Sequence, residues 1–487
     1  MYCGIDIGTS GAKVVIVDED DTVVAAAGHR FSVSRPHPLW SEQDPELWWQ
    51  AVCRCLDRVA AEQGDALRDV KGIGLSGQML GPVLLDIENK VLRPAILWND
   101  GRAEAEAQYL SAAAPEMGTR VGCRPNANFV APKILWLRTH EPGLLERCDC
   151  LLFAKDYIAL QLTGERATEP TDACGTHVMD AATGRWAADL LDLATIDPAW
   201  LPRLGRGYEA GGVVLPRFAT RWGFSKNTVV ALGAGDNMAG AIGVGAGTAG
   251  DGVVSIGTSA VCSIVTDRYL PLPELAIFTH PHIMPASWVS MSVVLSATDT
   301  LDWAARLLRR TVPELVEGAE RVVKGGLIGE APLLLPYLNG IRTPHDRAAA
   351  RGMLVGLDLS TDLDGLCWSL LEGIGFHIAE GIIAQFENGI VSTRLQGVGG
   401  GSRSRLWIEI IATLLNRPID LPYSREVGAS LGAARLARVA ANAAPLSSLC
   451  EKPAVEILIE PAAGLAPILT ERFARYKETY HQVAPLL

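Results

Sequence analysis

Short apolar runs that end in glycine-containing turns recur along this chain. The first run, Tyr2 to Ile7, leads into the turn Gly8-Thr9-Ser10-Gly11 and then into a second run, Ala12 to Val17. Runs of this kind between turn formers are typical of buried strands, so the pattern predicts an N-terminal β-hairpin. Behind Asp44-Pro45, a typical N-cap and first helical residue, apolar residues from Trp48 to Val59 recur at helical spacing. Such strands and helices together predict an α/β fold.

The tetrapeptide of the first turn is repeated in the second half of the chain. Ile7-Gly8-Thr9-Ser10 recurs as Ile256-Gly257-Thr258-Ser259, again between two apolar runs. One copy in each half predicts a duplicated domain with two hairpins that face each other across a cleft. Because 487 residues are too many for one hydrophobic core, the length predicts two or three domains. With the duplication we assign two, residues 1–243 and 244–487.

Two other stretches have patterns that bear on the fold. The section from Ala103 to Trp222 is predicted to be mostly helical, with proline and glycine breaks. The stretch from Gly428 to Ala441 is predicted to be a helix whose alanines and glycines allow a neighbouring backbone to come close.

The first hairpin has the side chains that a phosphate site needs. Glycine lets backbone N–H groups approach an anion, Thr9 and Ser10 add hydroxyl donors, and Lys13 adds positive charge. An acid, Asp6, fits among these donors if a divalent cation lies between it and the phosphate. The alternative is an ordinary hairpin with a tight turn.

Polar residues also follow other predicted strands. Gln78-Met79-Leu80 and Trp98-Asn99-Asp100 each come directly after an apolar run, where α/β proteins place ligand contacts. Asp236 follows a strand and two glycines and begins a helix with Asn237, so it is either an exposed acid or base, or an N-cap. Gly399-Gly400-Gly401-Ser402 joins a strand to the predicted helix Arg405–Leu415, which suits a nucleotide's phosphates or ribose, or is a tight crossover.

The two commonest nucleotide-binding signatures do not explain this sequence. Residues 245–250 match G-x-G-x-x-G, but a helix is predicted before them and a strand after them, the reverse of a dinucleotide site. The phosphate-loop pattern G-x4-G-K-[ST] does not occur.

Composition and charge exclude several classes of function. A net charge of −12 argues against nucleic acid or an anionic membrane as the main partner. Ten cysteines without zinc-site spacing indicate reduced thiols of a cytoplasmic protein, and the acidic N-terminus is not a signal peptide. The longest uncharged run, Leu275 to Thr298, contains prolines and is predicted to be buried strand and loop rather than a membrane span. Its His280 and His282 are expected to be core or surface histidines rather than metal ligands.

Several segments together resemble the FGGY carbohydrate kinases, and among them the xylulokinases. In family order they are GIDIGTSGAK, RPHPLWSEQDPELWW, LRPAILWNDGR, APKILW, KDYIALQLTGE, GAGDNMAGAIGVG, VVSIGTSA, LPYLNGIRTPH, GMLVGLDLS, GVGGGSRSRLW and GASLGAARLA. The resemblance implies two actin-like, ribonuclease-H-like domains around a central cleft. It also implies transfer of the γ-phosphate of ATP, with Mg²⁺, to a hydroxyl of a ketopentose, foremost D-xylulose.

The resemblance assigns roles to individual residues. Asp236 corresponds to the family's catalytic base and Asp6 to the acid that holds Mg²⁺. The implied binding residues are Gly8, Thr9, Ser10, Lys13, Gly257, Thr258 and Ser259 for the phosphates, Gly399, Gly400, Gly401, Ser402 and Asn416 for the adenosine, and Gln78, Met79, Leu80, Trp98, Asn99, Asp100 and Asn237 for the sugar. A homodimer is implied in the same way.

This sequence departs from its relatives at residues that bear on the substrate. Xylulokinases usually have histidine where this chain has Leu80, and leucine cannot pair with a sugar hydroxyl. We therefore expect Leu80 to favour a deoxy or differently configured ketose, or to relax specificity. Cys174 replaces a common serine, and Ile341 replaces a common glutamate, neither with a physical reason visible in the sequence.

Two alternative functions remain at this point. One is a kinase for another small sugar or polyol, such as deoxyxylulose, ribulose, erythritol, glycerol or gluconate. The other is an actin-like ATPase sensor without a sugar acceptor, which would lack the loop Trp98-Asn99-Asp100-Gly101-Arg102.

Overall fold

Two sheets of the same plan form the framework of the protein. The computed structural model describes residues 1–423 and 428–486. Across the N-terminal sheet the strands are Ala210–Val213, Val229–Ala231, Gly72–Gly77, Tyr2–Ile7, Gly11–Val17 and Val23–Arg30, with Ala234–Gly235 beside Gly72–Gly77. Across the C-terminal sheet they are Phe278–Pro281, Trp288–Val294, Ala260–Thr266, Asp251–Ile256, Arg394–Val398, Ile419–Pro422 and Val455–Ile459.

The repeated tetrapeptide occupies the same place in both sheets. Tyr2–Ile7 pairs antiparallel with the strand that follows it and parallel with Gly72–Gly77. Asp251–Ile256 likewise pairs antiparallel with the strand that follows it and parallel with Arg394–Val398. The predicted duplication of an α/β unit is therefore present in the strand order.

Helices cover the sheets and connect their strands. The helices are Pro45–Arg68, Glu104–Ala113, Met117–Val121, Val130–His140, Pro142–Leu145, Ala154–Thr163, Pro170–Ala173, Ala188–Leu193, Pro216–Trp222, Asp236–Gly243, Thr298–Leu308, Val312–Gly325, Leu363–Glu387, Arg405–Leu415, Gly428–Ala440 and Ala466–Val483. The first begins where the sequence predicts, because the Asp44 side chain accepts a hydrogen bond from the Glu46 N–H at 3.0 Å.

The section predicted to be mostly helical also contains strands. Residues 103–222 include several helices, but also short strands that the sequence pattern did not reveal. The paired short strands outside the two main sheets are Glu42–Gln43 with Ala95–Ile96, Val83–Leu85 with Cys150–Leu152, Ala167–Thr168 with Arg203–Leu204, Met179–Asp180 with Arg185–Trp186, and Leu333–Leu335 with Met353–Val355. Strands of two or three residues are too short to leave an alternating pattern.

Side chains alternate between the two faces of the first strand, and this sets the environment of Asp6. Cys3, Ile5 and Ile7 face the core beneath helix Pro45–Arg68. Tyr2 faces helix Gly428–Ala440, and Asp6 falls on that same face by alternation. The corresponding position of the second hairpin is Ser255, so only the first hairpin carries a carboxylate at this position.

Helix Gly428–Ala440 lies directly on the N-terminal sheet. A Cβ atom on Gly4 would be 1.9 Å from the Ser430 carbonyl oxygen, and one on Gly74 would be 1.7 Å from that of Ala433. The close approach expected from its small residues is therefore confirmed. Although this helix falls within the predicted range 244–487, it covers the first sheet, so the chain returns to the N-terminal domain near its end.

Two long, mostly apolar segments lie largely in the interior. Helix Leu363–Glu387 is long and apolar enough to cross a membrane, but 83% of its apolar window is buried within the protein. Leu275 to Thr298 contains strands Phe278–Pro281 and Trp288–Val294, as expected. All ten cysteines are free thiols.

Candidate active site

Asp6 and Asp236 come together because of strand register. Asp6 pairs with Ser76 on the neighbouring parallel strand, and the Ser76 hydroxyl donates to Asp6 Oδ1 at 2.8 Å. The short strand Ala234–Gly235 pairs with the same Ser76 from the other side, and Asp236 follows it directly. Both carboxylates therefore lie at the same end of the sheet, and both are partly exposed.

The surroundings of Asp236 make it a weak acid. Loss of water around its carboxyl group and the negative charge of Asp6 raise its pKa to about 7, although a hydrogen bond from the Asn237 N–H at 2.8 Å opposes the shift. Burial also raises the pKa of Asp6, against the effects of Ser76 and Lys13. Gly235 occupies the N-cap position and Asp236 is the first helical residue. The N-cap interpretation is therefore wrong, and Asp236 is suited to accept a proton near neutral pH.

The first hairpin forms a tight turn that is held from outside. Gly8 N–H donates to the Gly11 carbonyl at 2.9 Å. The Trp98 indole N–H donates to the Thr9 hydroxyl at 2.9 Å, and the Gln43 amide donates to the Thr9 carbonyl at 2.7 Å. Ser10 is exposed. A cavity of about 600 Å³ opens beside the turn, and its lining includes Asp6, Gly8, Ser10 and Lys13 together with Arg30.

The second hairpin has a similar turn that is one residue tighter. Gly257 N–H donates to the Ser259 carbonyl at 2.9 Å, and the Thr258 carbonyl accepts from Ala297 N–H at 2.8 Å. Thr258 is exposed, while Gly257 and Ser259 are half-buried. Both hairpins therefore present a glycine and hydroxyl side chains at the end of a central strand.

The glycine turn at 399–402 packs against the second hairpin. Gly399 has φ +84°, and a Cβ atom there would be 2.6 Å from the Ile256 carbonyl oxygen. The Ser402 hydroxyl closes the turn by donating to the Gly399 carbonyl at 2.7 Å. Gly400 is exposed with open space around its Cα. Only glycine fits at 399, and the turn lies beside the Ile256 end of its strand.

We call residues 78–80 and 98–99, which are predicted to face the sugar, the sugar-side wall. Met79 of this wall lies near Asp236 through Asn237. Asn237 Nδ2 lies 3.1 Å from Asp236 Oδ1 and 3.9 Å from Met79 Sδ. The Gln78 amide donates to Gln43 Oε1 at 2.9 Å, while its own Oε1 is buried without a hydrogen-bond partner among the described residues. Asn99 Oδ1 is also buried, and it too accepts no hydrogen bond from residues 1–423 or 428–486. These two acceptors are suited to hydroxyl donors.

Models of a known family match most of the chain. The model described as the FGGY family of carbohydrate kinases, N-terminal domain, matches residues 1–243, and the C-terminal domain model matches residues 252–441. This chain belongs to the FGGY family of carbohydrate kinases.

Individual relatives of this FGGY kinase cover its whole length. A xylulose kinase of Escherichia coli K12 is 40% identical over 496 residues, covering 100% of both chains. A crystal structure described as a "xyloylose kinase" from Brucella ovis has a TM-score of 0.94 at 38% identity and covers 100% of both chains. The xylulose kinase structure from Rhodospirillum rubrum has a TM-score of 0.90 at 27% identity, covering 100% of this chain and 99% of that one. The predicted family and two-domain fold are thereby confirmed.

Two residues predicted to contact ligands lie elsewhere. Asp100 is fully buried, and its two oxygens accept hydrogen bonds from Arg102 and from the Ser41 N–H, so it supports the loop instead of facing the sugar. Asn416 is exposed at the C-cap of helix Arg405–Leu415, whose other end follows the glycine turn. An 11-residue helix is about 16 Å long, so Asn416 is too far from that turn to meet the adenine there.

The unusual residues Leu80 and Cys174 belong to one apolar cluster. Cys174 packs with Met79, Ala173 and Met179, and the half-buried Leu80 lies against them. A Cβ atom on Gly175 would be 2.6 Å from Leu80 Cδ2. The replacement of serine by Cys174 thus accompanies the apolar side chain of Leu80. Ile341, by contrast, is buried in the core of the C-terminal domain and does not belong to this cluster.

Two polar residues that hold segments around the site together were not predicted from the sequence. Lys133 lies buried in helix Val130–His140, and Asn128 accepts a hydrogen bond from Arg342 of the C-terminal domain at 2.7 Å. A lysine within the apolar segment APKILW was a visible signal for the first. No local pattern signals the second, because residues 128 and 342 are distant in sequence. His280 and His282 are buried, which lowers their pKa to about 4 and keeps them neutral.

Proposed function

We propose that this carbohydrate kinase transfers the γ-phosphate of ATP to a hydroxyl of D-xylulose, giving xylulose 5-phosphate. The observation that carries the proposal is the pair Asp6 and Asp236, in which Asp236 has a pKa raised to about 7 beside the phosphate-type hairpin. The full-length similarity to the xylulose kinase of Escherichia coli supports the choice of sugar.

In the proposed reaction Asp236 is the general base. It takes the proton from the attacking sugar hydroxyl, the hydroxyl oxygen bonds to the γ-phosphorus, and the bond between that phosphorus and the bridging oxygen of ADP breaks. Its pKa near neutrality lets it be ionised before the reaction and still accept a proton during it. Asn237 fixes its orientation through the hydrogen bonds of 2.8 and 3.1 Å to Oδ1.

The phosphates of ATP are assigned to the two hairpins. Gly8, Thr9, Ser10 and Lys13 provide N–H, hydroxyl and ammonium donors on one side, and Gly257, Thr258 and Ser259 provide N–H and hydroxyl donors on the other. The turn at 399–402 lies beside the second hairpin, which suits the adenosine end of the same nucleotide. The adenosine role rests on Gly399, Gly400, Gly401 and Ser402, without Asn416.

The residues around Asp6 fit a divalent cation. The negative charge of Asp6 raises the pKa of Asp236, burial raises the pKa of Asp6 itself, and the nearby Lys13 opposes that rise. Hard oxygen donors in an excess of negative charge are what Mg²⁺ prefers. Within residues 1–423 and 428–486 no group of three or more His, Cys, Asp or Glu side chains could hold a metal. Asp6 would therefore hold Mg²⁺ together with water and phosphate oxygens, and the ion would neutralise phosphate charge.

A substrate panel tests the sugar. ADP release at saturating Mg-ATP would be compared for D-xylulose, 1-deoxy-D-xylulose, L-xylulose, D- and L-ribulose, erythritol, glycerol and gluconate, with Asp236→Ala as the blank. We expect D-xylulose to give the highest kcat/KM and the variant to be inactive. Release that is independent of every sugar would contradict the proposal and favour an ATPase sensor.

Leu80 supports a second candidate substrate. Its carbon side chain stands in the apolar cluster beside Met79, next to the proposed sugar site. A ketose with a methyl group or a different configuration at the carbon that meets Leu80 would lose no hydrogen bond there. Preference for 1-deoxy-D-xylulose over D-xylulose in the same panel would favour this candidate.

By family resemblance we also propose a homodimer that acts in the cytoplasm. Sedimentation of the purified protein tests the assembly, with a mass near 104 kDa expected from the 52.0 kDa chain.

A further inference from the structure

Lys133 is a buried lysine that donates to four backbone carbonyls within the part of the chain that the structure describes. Its side chain is fully buried within helix Val130–His140. The ammonium group donates to the carbonyl oxygens of Asn128 at 2.6 Å, Leu80 at 2.8 Å, Leu97 at 2.9 Å and Ile96 at 3.2 Å. An ammonium group has three protons, so these four acceptors more than satisfy it.

A buried ammonium group without a carboxylate partner is costly for folding. Burial lowers the pKa of Lys133 to about 7, because the charge of Asp100, which favours the ammonium form, is itself paired with Arg102. Methionine would fill the same space in an apolar helix without this cost. We therefore look for the role of the lysine in the segments that carry its four carbonyl partners, because its hydrogen bonds hold these segments together.

Those segments build the sugar-side wall. Leu80 belongs to the turn after strand Gly72–Gly77 and has φ +69°, a left-handed backbone conformation that is unfavourable for leucine. Its carbonyl is fixed by Lys133, and the adjacent Met79 lies against Asn237, the neighbour of Asp236. Leu97 precedes Trp98 and Asn99 on the other side of the wall.

We propose that Lys133 is a positioning residue of the sugar site, which ties the turn at Leu80 to the loop after Leu97 and so sets the distance between the sugar-side wall and Asp236. Lys133 does not touch the sugar itself. The inference rests on the proposed function, because it needs residues 78–80 and 98–99 to be the sugar side. None of its four carbonyls belongs to the second hairpin or to the turn at 399–402, so Lys133 holds no part of the proposed adenosine site. Its link to the phosphate side is indirect, through Trp98, whose indole N–H donates to the Thr9 hydroxyl at 2.9 Å.

The test separates positioning from general stability. Lys133→Met removes the donors at similar volume, and Arg417→Met is the matched control. Arg417 also donates to a backbone carbonyl, that of Ser392 at 3.1 Å, but lies at the far end of helix Arg405–Leu415. The measurements are KM for D-xylulose, KM for ATP, ADP release without sugar, and the melting temperature.

We expect Lys133→Met to raise KM for D-xylulose roughly tenfold or more, because displacements of about 1 Å in a site have effects of this size. KM for ATP should rise much less than KM for D-xylulose, because the second hairpin and the turn at 399–402 are untouched, and sugar-independent ADP release should stay within about twofold of wild type. The control should keep both KM values. If Lys133→Met does not fold, Lys133→Gln takes its place with the same selective rise expected.

Equal changes in both KM values, or a lower melting temperature with an unchanged sugar KM, would overturn the role of Lys133. Failure of the proposed function is distinguishable, since the wild-type protein itself would then show no D-xylulose-dependent ADP release.

Discussion

Replacing Asp236 by asparagine should abolish activity and stabilise the protein at alkaline pH. The raised pKa means that the folded state favours the protonated carboxyl, so the destabilisation grows as pH rises from about 4 to about 7 and is complete above that. Asparagine is neutral at every pH, and its Oδ1 can still accept from Asn237. The gain from the substitution should therefore appear only where the wild-type acid is ionised.

The magnitude follows from the shift in pKa. The value moves from 3.8 to about 7, and each unit corresponds to about 1.4 kcal/mol, which gives about 4 kcal/mol for a carboxyl group without water. Asp236 is partly exposed, so solvent screening reduces the expected effect to about 2 kcal/mol. For a domain of this size that corresponds to a rise of about 4 °C in melting temperature.

Thermal unfolding of the two proteins at pH 4.5 and pH 8 measures this effect. EDTA is included, because a bound divalent cation would lower the pKa of Asp236. Asp65→Asn is the matched control, since Asp65 has a side chain 96% exposed and forms a surface ion pair with Arg68. We expect the Asp236→Asn difference to grow with pH and the Asp65→Asn difference to stay flat. An Asp236→Asn difference that is the same at both pH values would refute the argument that burial and Asp6 raise this pKa.

Three further substitutions have distinct expected effects. Leu80→His should raise the preference for D-xylulose over 1-deoxy-D-xylulose in kcat/KM, and an unchanged sugar profile would show that Leu80 does not set specificity. Arg342→Met removes the 2.7 Å contact with Asn128 between the domains, so kcat/KM for D-xylulose should fall about tenfold, while an unaltered value would show that the contact is dispensable. Gly399→Ala should raise KM for ATP and leave KM for the sugar unchanged, because its Cβ would lie 2.6 Å from the Ile256 carbonyl; equal changes in both would argue against the adenosine role.

Local patterns predicted the elements that carry the site. The hairpin repeat at residues 7–10 and 256–259 predicted the duplicated plan, and the strand order confirms it. Helix Arg405–Leu415 was predicted at its observed bounds. That length already separates Asn416 from the glycine turn by about 16 Å, a separation that the sequence itself could have revealed.

Other features depend on contacts between distant residues and leave no local trace. From the sequence, Asp236 is either a base or an N-cap. The choice depends on the pairing of the preceding strand, in which Ala234 lies opposite Ser76, and on the charge of Asp6. Asp100 looked like a sugar ligand because it follows a strand, but its partner Ser41 is 59 residues away. The return of helix Gly428–Ala440 to the first sheet is equally non-local.

Phosphorus NMR of one reaction mixture tests the central claim most directly. The mixture contains the protein, Mg-ATP and D-xylulose at pH 8, with Asp236→Asn in a parallel sample. If Asp236 is the base for phosphoryl transfer to the sugar, we expect a sugar phosphomonoester signal that grows in step with ADP in the wild-type sample and is missing from the variant. Inorganic phosphate in place of the phosphomonoester, or equal product from the Asp236→Asn protein, would contradict it.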